Sequence, residues 1–358
     1  MTNLSLKIGQ NERLSAAKAI IGSCRSDSGF YASAGLYKYE YWTRDLSYCL
    51  EGLLEAGYEI SVKTALKKIW SKQRPSGEAP VLFIEDFMAW FGNSLKLGRA
   101  KSLPKTLSGL EAVLNSLFHV ADPTPHAVLA TYEFANRSND KNLTSDLAAN
   151  LKTALTRIEK NRKDGLIIGC DWRDLMPELR NKALLSNQCL LYRIYVLMGE
   201  GIKAGNLKNK INDEFWNGEY YVSSKGSRDF DVLGTALAIE WDIVEKERYG
   251  KLFEMFKKST TKYGIRNMLI IDKRPAGKKT KVPECDQYGT IWPFAAYRAV
   301  LALDKMGYGD FAKEELLKLE RLEGFNEWYD PSSGKPLGSN EQLWSAAAYL
   351  EAARKIYR

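Results

Sequence analysis

The sequence predicts an all-α fold, an (α/α)6 barrel of six helical hairpins with long functional loops at one end. Apolar residues recur at helical spacing almost throughout the 358 residues, and strand-like alternation is rare. The loops also alternate in character. Plain ones such as GYEIS, RSNDKN and MGYGD are interleaved with long ones rich in Trp, Tyr, Asp, Arg and Gly. Antiparallel helix pairs, six inner and six outer, would put the plain loops at one end and the rich loops at the other.

Taken in order, helical spacing covers 11–24, 43–57, 60–72, 83–96, 106–120, 125–137, 142–160, 182–198, 206–215, 230–242, 245–258, 290–305, 309–321 and 340–357. The second of these follows the aromatic run YKYEYWTRD, where Asp45 suits a helix cap. The helix at 182–198 lies beyond DWRDLMPE, and the intervening MPELRNK separates it from Asp171 and Asp174. Asp229 and Asp231 suit a cap for 230–242, and Pro293 takes an early position in 290–305, where proline is ordinary. SNEQ, with Glu341, reads as a capping sequence for the last helix. EYYVSS (219–224) and NEWYDPSSG (326–334) read as short hairpin strands or turns. No Pro/Gly/Ser-rich linker divides the chain, so 1–358 reads as a single catalytic domain without a separate accessory domain.

Composition narrows the function. The chain is 45% hydrophobic and 27% charged, ordinary for a soluble protein with a substantial core. Its net charge of +8 comes from lysines spread along helices beside glutamates, and the densest run, DKRPAGKKTKVPE (272–284), reads as a solvated loop. That pattern argues against nucleic acid. The five cysteines are scattered without a C-x-x-C pair, as in a reducing compartment. No apolar leader and no stretch of 18 apolar residues occurs, so a cytoplasmic protein without a membrane span is expected. Only His119 and His126 exist, which disfavours histidine zinc sites and Ser–His–Asp chemistry. Neither a P-loop nor a dinucleotide fingerprint is present. Carboxylates remain as the groups for chemistry, with no metal or organic cofactor expected.

Of the 9 tryptophans and 19 tyrosines, many fall beside Gly, Asp and Asn in the rich loops, where some would line a pocket for a flat, hydroxylated ligand. In YKYEYWTRDLSY (37–48), Trp42, Arg44 and Asp45 have the makings of a sugar clamp, with carboxylate and guanidinium on hydroxyls and the indole on the ring face. In DGLIIGCDWRDLMPE (164–178), Asp174 follows Trp172 by two residues. A carboxyl held against an indole has its proton affinity raised by desolvation, as a general acid near neutral pH requires. Glu327, between Asn326 and Trp328, supplies a second carboxylate with no evident capping duty. Glu85, Asp86, Asp171 and Glu341 are assigned no functional role by this reading.

Together these loops resemble the (α/α)6-barrel glycoside hydrolases of the glucoamylase-like and glycogen-debranching (amylo-α-1,6-glucosidase) group, with affinity to trehalase, glucosidase I and mannosylglycerate hydrolase. Four segments carry the resemblance from about residue 15 onward: YEYWTRDLSYCLEGLLEAGY, DGLIIGCDWRDLMPE with SNQCLLYRIYVLMGE, GTIWPFAAYRAVLAL, and NEWYDPSSGKPLGSNEQLWSAAAYLEA. The resemblance implies an inverting, exo-acting hydrolase that releases a hexose, glucose in the first instance, from an α-linked glycoside. Asp174 would be the general acid and Glu327 the general base, with Trp42, Arg44, Asp45, Trp172, Arg173, Trp292 and Trp328 around the sugar. Such enzymes place the two carboxyls about 6.5–9.5 Å apart, leaving room for the attacking water. Arg173 stands where many relatives have an uncharged residue, which would suit an anionic substrate. The alternatives are a sugar phosphorylase, with Arg173 or KGSR serving phosphate, and a non-catalytic carbohydrate-binding barrel. An epimerase is disfavoured by the scarcity of histidine.

Overall fold

The computed structural model describes residues 3–99, 120–138, 140–271 and 287–358. The helix expected at 106–120, His119, Cys285 and the basic run 272–284 lie almost wholly outside the described residues. Fourteen α-helices are present among them: α1 (Asn3–Cys24), α2 (Thr43–Glu55), α3 (Glu59–Ser71), α4 (Phe87–Lys96), α5 (Pro123–Arg137), α6 (Lys141–Asp146), α7 (Ala148–Lys160), α8 (Leu185–Leu197), α9 (Gly201–Phe215), α10 (Val232–Glu240), α11 (Tyr249–Ser259), α12 (Pro293–Lys305), α13 (Gly309–Glu320) and α14 (Leu343–Ile356). The β-structure consists of two-residue strands paired into six antiparallel ribbons. One of them joins Trp328–Tyr329 to Pro336–Leu337, within and just beyond the expected 326–334 hairpin.

Six helices are neighbours in a closed cycle: α2 packs on α5, α5 on α8, α8 on α10, α10 on α12, α12 on α14, and α14 back on α2. Their sequences explain that position. Every residue of α10 from Val232 to Ile239 is buried, as is every residue of α14 from Leu343 to Ala353, because these stretches are apolar or small on all faces except at Glu351, which is ion-paired with Arg298 and Lys355. The helices packed against the cycle bury one stripe only. In α9 that stripe is Ala204, Leu207, Ile211 and Phe215, at helical spacing. α1 lies on α14, α3 on α2 and α5, α7 on α5, α9 on α8, and α13 on α12 and α14. One apolar cluster runs from Ala17 to Ala353.

α2 and α14 approach closely at Gly52. A Cβ on Gly52 would clash with the backbone of Ala347, so only glycine admits this spacing. α1 ties the chain's two ends together. Arg13 donates to the carbonyls of Leu319, Leu322 and Gly324 and lies over the Phe325 ring.

Several expected boundaries move for local reasons. The expected helix 83–96 is a strand, Leu82–Phe83, followed by α4, whose N-cap Asp86 accepts from Ala89 N. Asp86 is thereby explained, and Glu85 is ion-paired with Lys68. The segment 142–160 is two helices, meeting at Leu147. SNEQ does not cap α14 through a side chain: Glu341 adopts φ 49, and the N-cap Gln342 makes no side-chain capping bond. Asp45 is likewise not a cap but sits in the first turn of α2, behind Trp42. Among the described residues, no helix is long and apolar enough to cross a membrane.

Candidate active site

The six helices of the cycle all point their first turns at one region. Arg44 and Asp45 lie in the first turn of α2, and Asp122, Asp231, Trp292 and Gln342 are the N-caps of α5, α10, α12 and α14. Ser186, near the start of α8, donates to Asp171. Helix N-termini carry partial positive charge, which favours carboxylates there.

Asp174 reaches this region on the loop after the Leu166–Ile167 strand. It is buried, at 8% exposure, and accepts from Arg44 Nη2 at 3.0 Å on one oxygen and from Gln287 Nε2 at 3.2 Å on the other. Glu327 is equally buried and accepts from Tyr37 Oη at 3.2 Å and from Ser339 N at 2.9 Å. Burial pushes its carboxyl up to about 7, with the charge of Asp174 adding to the effect and the bonds from Ser339 and Tyr37 opposing it. Two carboxyls 153 residues apart in sequence are therefore electrostatically coupled in the fold. Gly338, at φ 69, makes room for Glu327: a Cβ there would clash with its Oε2.

Arg44 and Asp45 belong to the same constellation. The Arg44 guanidinium lies over the Trp42 ring, 5.6 Å from the centroid, and faces Asp174, Asp122 and Asp45. Burial pushes Asp45 up to about 8; Arg44 works against this, while Glu327 and Asp174 add to it. Glu40, also buried, gathers Trp42 Nε1, Trp90 Nε1 and Arg99 Nη1 onto its two oxygens, each at 3.0 Å. This fixes Trp42, which is partly exposed, in edge contact with Tyr37. The half-open aromatic pair stands beside the coupled carboxyls.

The other tryptophans are packed more deeply. Trp172 is 2% exposed and rests against Trp292 and Phe294, with centroids 5.0 and 5.2 Å away. The expected contact between Asp174 and that indole is not what holds the carboxyl; Arg44 and Gln287 do. Trp292 stacks on Trp328, joining the loop of Glu327 to the entrance of α12. The Arg173 guanidinium pairs with other carboxylates than that of Asp174, its neighbour in sequence. Arg173 is 1% exposed and bonded through Nε and Nη2 to Asp171, with Asp231 3.5 Å away. Although burial pushes Asp171 up, Arg173 and the bonds from Arg173 and Ser186 hold it below the usual carboxylate range. Arg173, Asp171 and Asp231 thus form a buried brace under the loop. Sequence reasoning missed Tyr37, Glu40, Asp122, Gln287 and Gly338 as parts of the site. Among the described residues, no group of three or more His, Cys, Asp or Glu side chains is arranged to hold a metal ion.

This arrangement of helices defines a class. The chain has the fold of known helical-barrel glycosidases. The GH63 mannosylglycerate hydrolase of Thermus thermophilus, solved with Tris and D-glycerate, superposes with a TM-score of 0.68 over 94% of this chain and 99% of that one, at 13% identity. A glycosidase variant solved in complex with glucose superposes with a TM-score of 0.71 over 100% and 99%, at 14% identity. In sequence, the glucosylglycerate hydrolase of Mycolicibacterium hassiacum is 35% identical over 68 residues, which is 18% of this chain and 15% of that protein. No family model matches the chain.

Proposed function

We propose that this chain is an inverting, exo-acting glycoside hydrolase, with residues 1–358 forming a single (α/α)6-barrel catalytic domain. The observation that carries the reading is the coupled pair of buried carboxyls, Asp174 and Glu327, at the shared N-terminal end of six helices beside the half-open Tyr37–Trp42 face. The closed cycle of six helices supports the barrel.

In this reading Asp174 gives its proton to the glycosidic oxygen. Glu327 takes a proton from the water that attacks the anomeric carbon from the other side, and the sugar leaves with its configuration inverted. Arg44, Asp45 and Trp42 hold the sugar, while Trp172, Trp292 and Trp328 back the pocket and Arg173 braces the acid loop. A glucosyl or mannosyl group on a glycerate-type aglycone is the favoured substrate, in keeping with the activities of the matched enzymes. Arg99 supplies a cation for such an anion. Its side chain is 31% exposed and lies over the Tyr37 ring, and its charge acts on Glu327. A second assignment of the two roles has its own support: Asp174 is the carboxylate ion-paired with Arg44, and Glu327 is the one pushed up to about 7, so Glu327 could act as acid and Asp174 as base.

The test is sugar release from glucosylglycerate, mannosylglycerate, maltooligosaccharides and trehalose. Wild type should release sugar from at least one, and Glu327→Gln should lose about 10²–10⁴-fold in kcat. A glycosyl fluoride, which needs no acid, separates the roles: Asp174→Asn should keep activity on it and Glu327→Gln should not. The opposite pattern assigns the second reading. Equal release by wild type and Glu327→Gln would overturn the role of Glu327. Sugar binding without release would leave a binding barrel, and release only with phosphate a phosphorylase.

A further inference from the structure

Arg44 is one guanidinium among three carboxyls. Its Nη2 bonds Asp174 at 3.0 Å, its Nη1 lies 3.6 Å from Asp122, and its Nε lies 4.0 Å from Asp45. The three are not equivalent. Asp174 is hydrogen-bonded, whereas Asp122 is fully buried and neither of its oxygens has a hydrogen-bond partner. It is the N-cap of α5 yet makes no capping bond. On α5, His126 Nε2 lies 3.7 Å away and is also unpartnered. Burial, with the charge of Arg44 adding to it, keeps that imidazole neutral, and its Nδ1 is occupied by Ser47. A carboxyl buried without a donor is costly unless a charge meets it. For Asp122 that charge is Arg44.

The hydrolase reading gives this arrangement a purpose. A general acid must be neutral before it can give its proton away. Once Asp174 is neutral, Arg44 loses its bonded counter-charge, and a buried guanidinium without a partner is strongly unfavourable. We propose that Asp122 is a positioning residue that takes over Arg44 when Asp174 carries its proton, so that the acid stays protonated beside a guanidinium. Asp122 acts through Arg44 and does not touch substrate. The exchange needs no bond beyond those of acid–base equilibrium: the proton on Asp174 is balanced by the negative charge on Asp122, and Arg44 keeps one carboxylate throughout.

The groups facing this exchange, among the described residues, are Arg44, Asp45 and Tyr48 from α2, and Asp122 and His126 from α5. Cys170, Asp171, Arg173 and Asp174 come from the acid loop, Gln287 from the segment before α12, and Glu327 from the loop before Trp328. Burial pushes Asp122 itself up to about 7, with Arg44 opposing and Asp171 and Asp174 adding, so it exchanges its proton within the working range.

The inference rests on the hydrolase reading for the role of Asp174, and the experiment separates the two. In Asp122→Asn, Arg44 has no standby partner and stays with Asp174. The alkaline limb of the kcat profile should move to lower pH by about one unit, a tenfold loss on that side, with KM nearly unchanged. A merely structural residue would lower Tm and leave the limb in place, and that result overturns the proposal. The Asp174 carboxyl is also titrated by ¹³C NMR in both proteins, which needs no turnover: its midpoint should fall in Asp122→Asn, and an unmoved midpoint overturns the proposal. If wild type hydrolyses nothing, the hydrolase reading falls and the titration decides alone. If Asp122→Asn folds poorly, Asp122→Ser takes its place in both measurements.

Discussion

At the scale of single residues, Glu327 shows how an ordinary side chain is tuned by what surrounds it. Ser339 and Tyr37 favour its charged form, while burial and Asp174 disfavour it. As the base it has to be ionised, so activity should rise with pH through about 7. Tyr37→Phe removes a bond that favours the ionised form, and the acidic limb should move upward by roughly one unit; a rate profile of the variant checks this. The structure brings Asp174, Glu327, Arg44 and Asp45 together. In the sequence Asp174 and Glu327 stand out because they lie in aromatic loops without an evident capping duty, whereas Asp45 beside Arg44 also suits a helix cap. Arg173 was misplaced because adjacency along an irregular loop does not fix where a side chain goes: Asp174 meets Arg44, and Arg173 meets Asp171 and Asp231. Nothing in the sequence around Asp122 marks it, because an unbonded carboxyl leaves no trace there.

At the scale of elements, the helices were legible through apolar spacing and their ends were not. The start of α8 is an example. Ala183 and Leu184 pair as isolated bridges with Ile168 and Ser224, so the helix begins at Leu185 although its apolar pattern begins earlier. The final helix starts late because Glu341 is left-handed, a backbone choice its side chain does not announce. Packing between elements gives a sharp prediction at the α2–α14 crossing. Gly52→Ala inserts a methyl group against the backbone of Ala347, and overpacking of this kind costs about 1–3 kcal/mol. Chemical denaturation should show the loss, while alanine in place of Gly57, whose Cβ direction is open, should suffer only from its φ of 84.

At the scale of the whole molecule, gathering carboxyls at one end makes stability depend on pH in an unusual direction. Folding raises the proton affinity of Asp45, Asp122, Glu327 and Asp231, to about 8, 7, 7 and 6. A carboxyl bound more tightly to its proton in the folded state stabilises fully below its unfolded value near 4, and that contribution is lost as pH rises through the folded value. Asp171, Glu351 and the other carboxyls that folding holds low lose their contribution only below the usual carboxylate range, under this window. His126, held neutral, opposes the trend on its acid side without matching four carboxyls. Calorimetry should find a higher Tm at pH 5 than at pH 8, and Asp45→Asn should flatten the slope; a Tm that climbs over this range would contradict it. The closed order of neighbours has a further consequence, for synthesis. α2 emerges from the ribosome nearly 300 residues before α14, its partner across Gly52, and α1 also lies on α14. The nascent chain therefore carries an unsealed seam while the intervening residues are made, and residues 343–356 act as its keystone. A chaperone that shields small and apolar surface during that wait would be needed most at α2, until its last neighbour arrives.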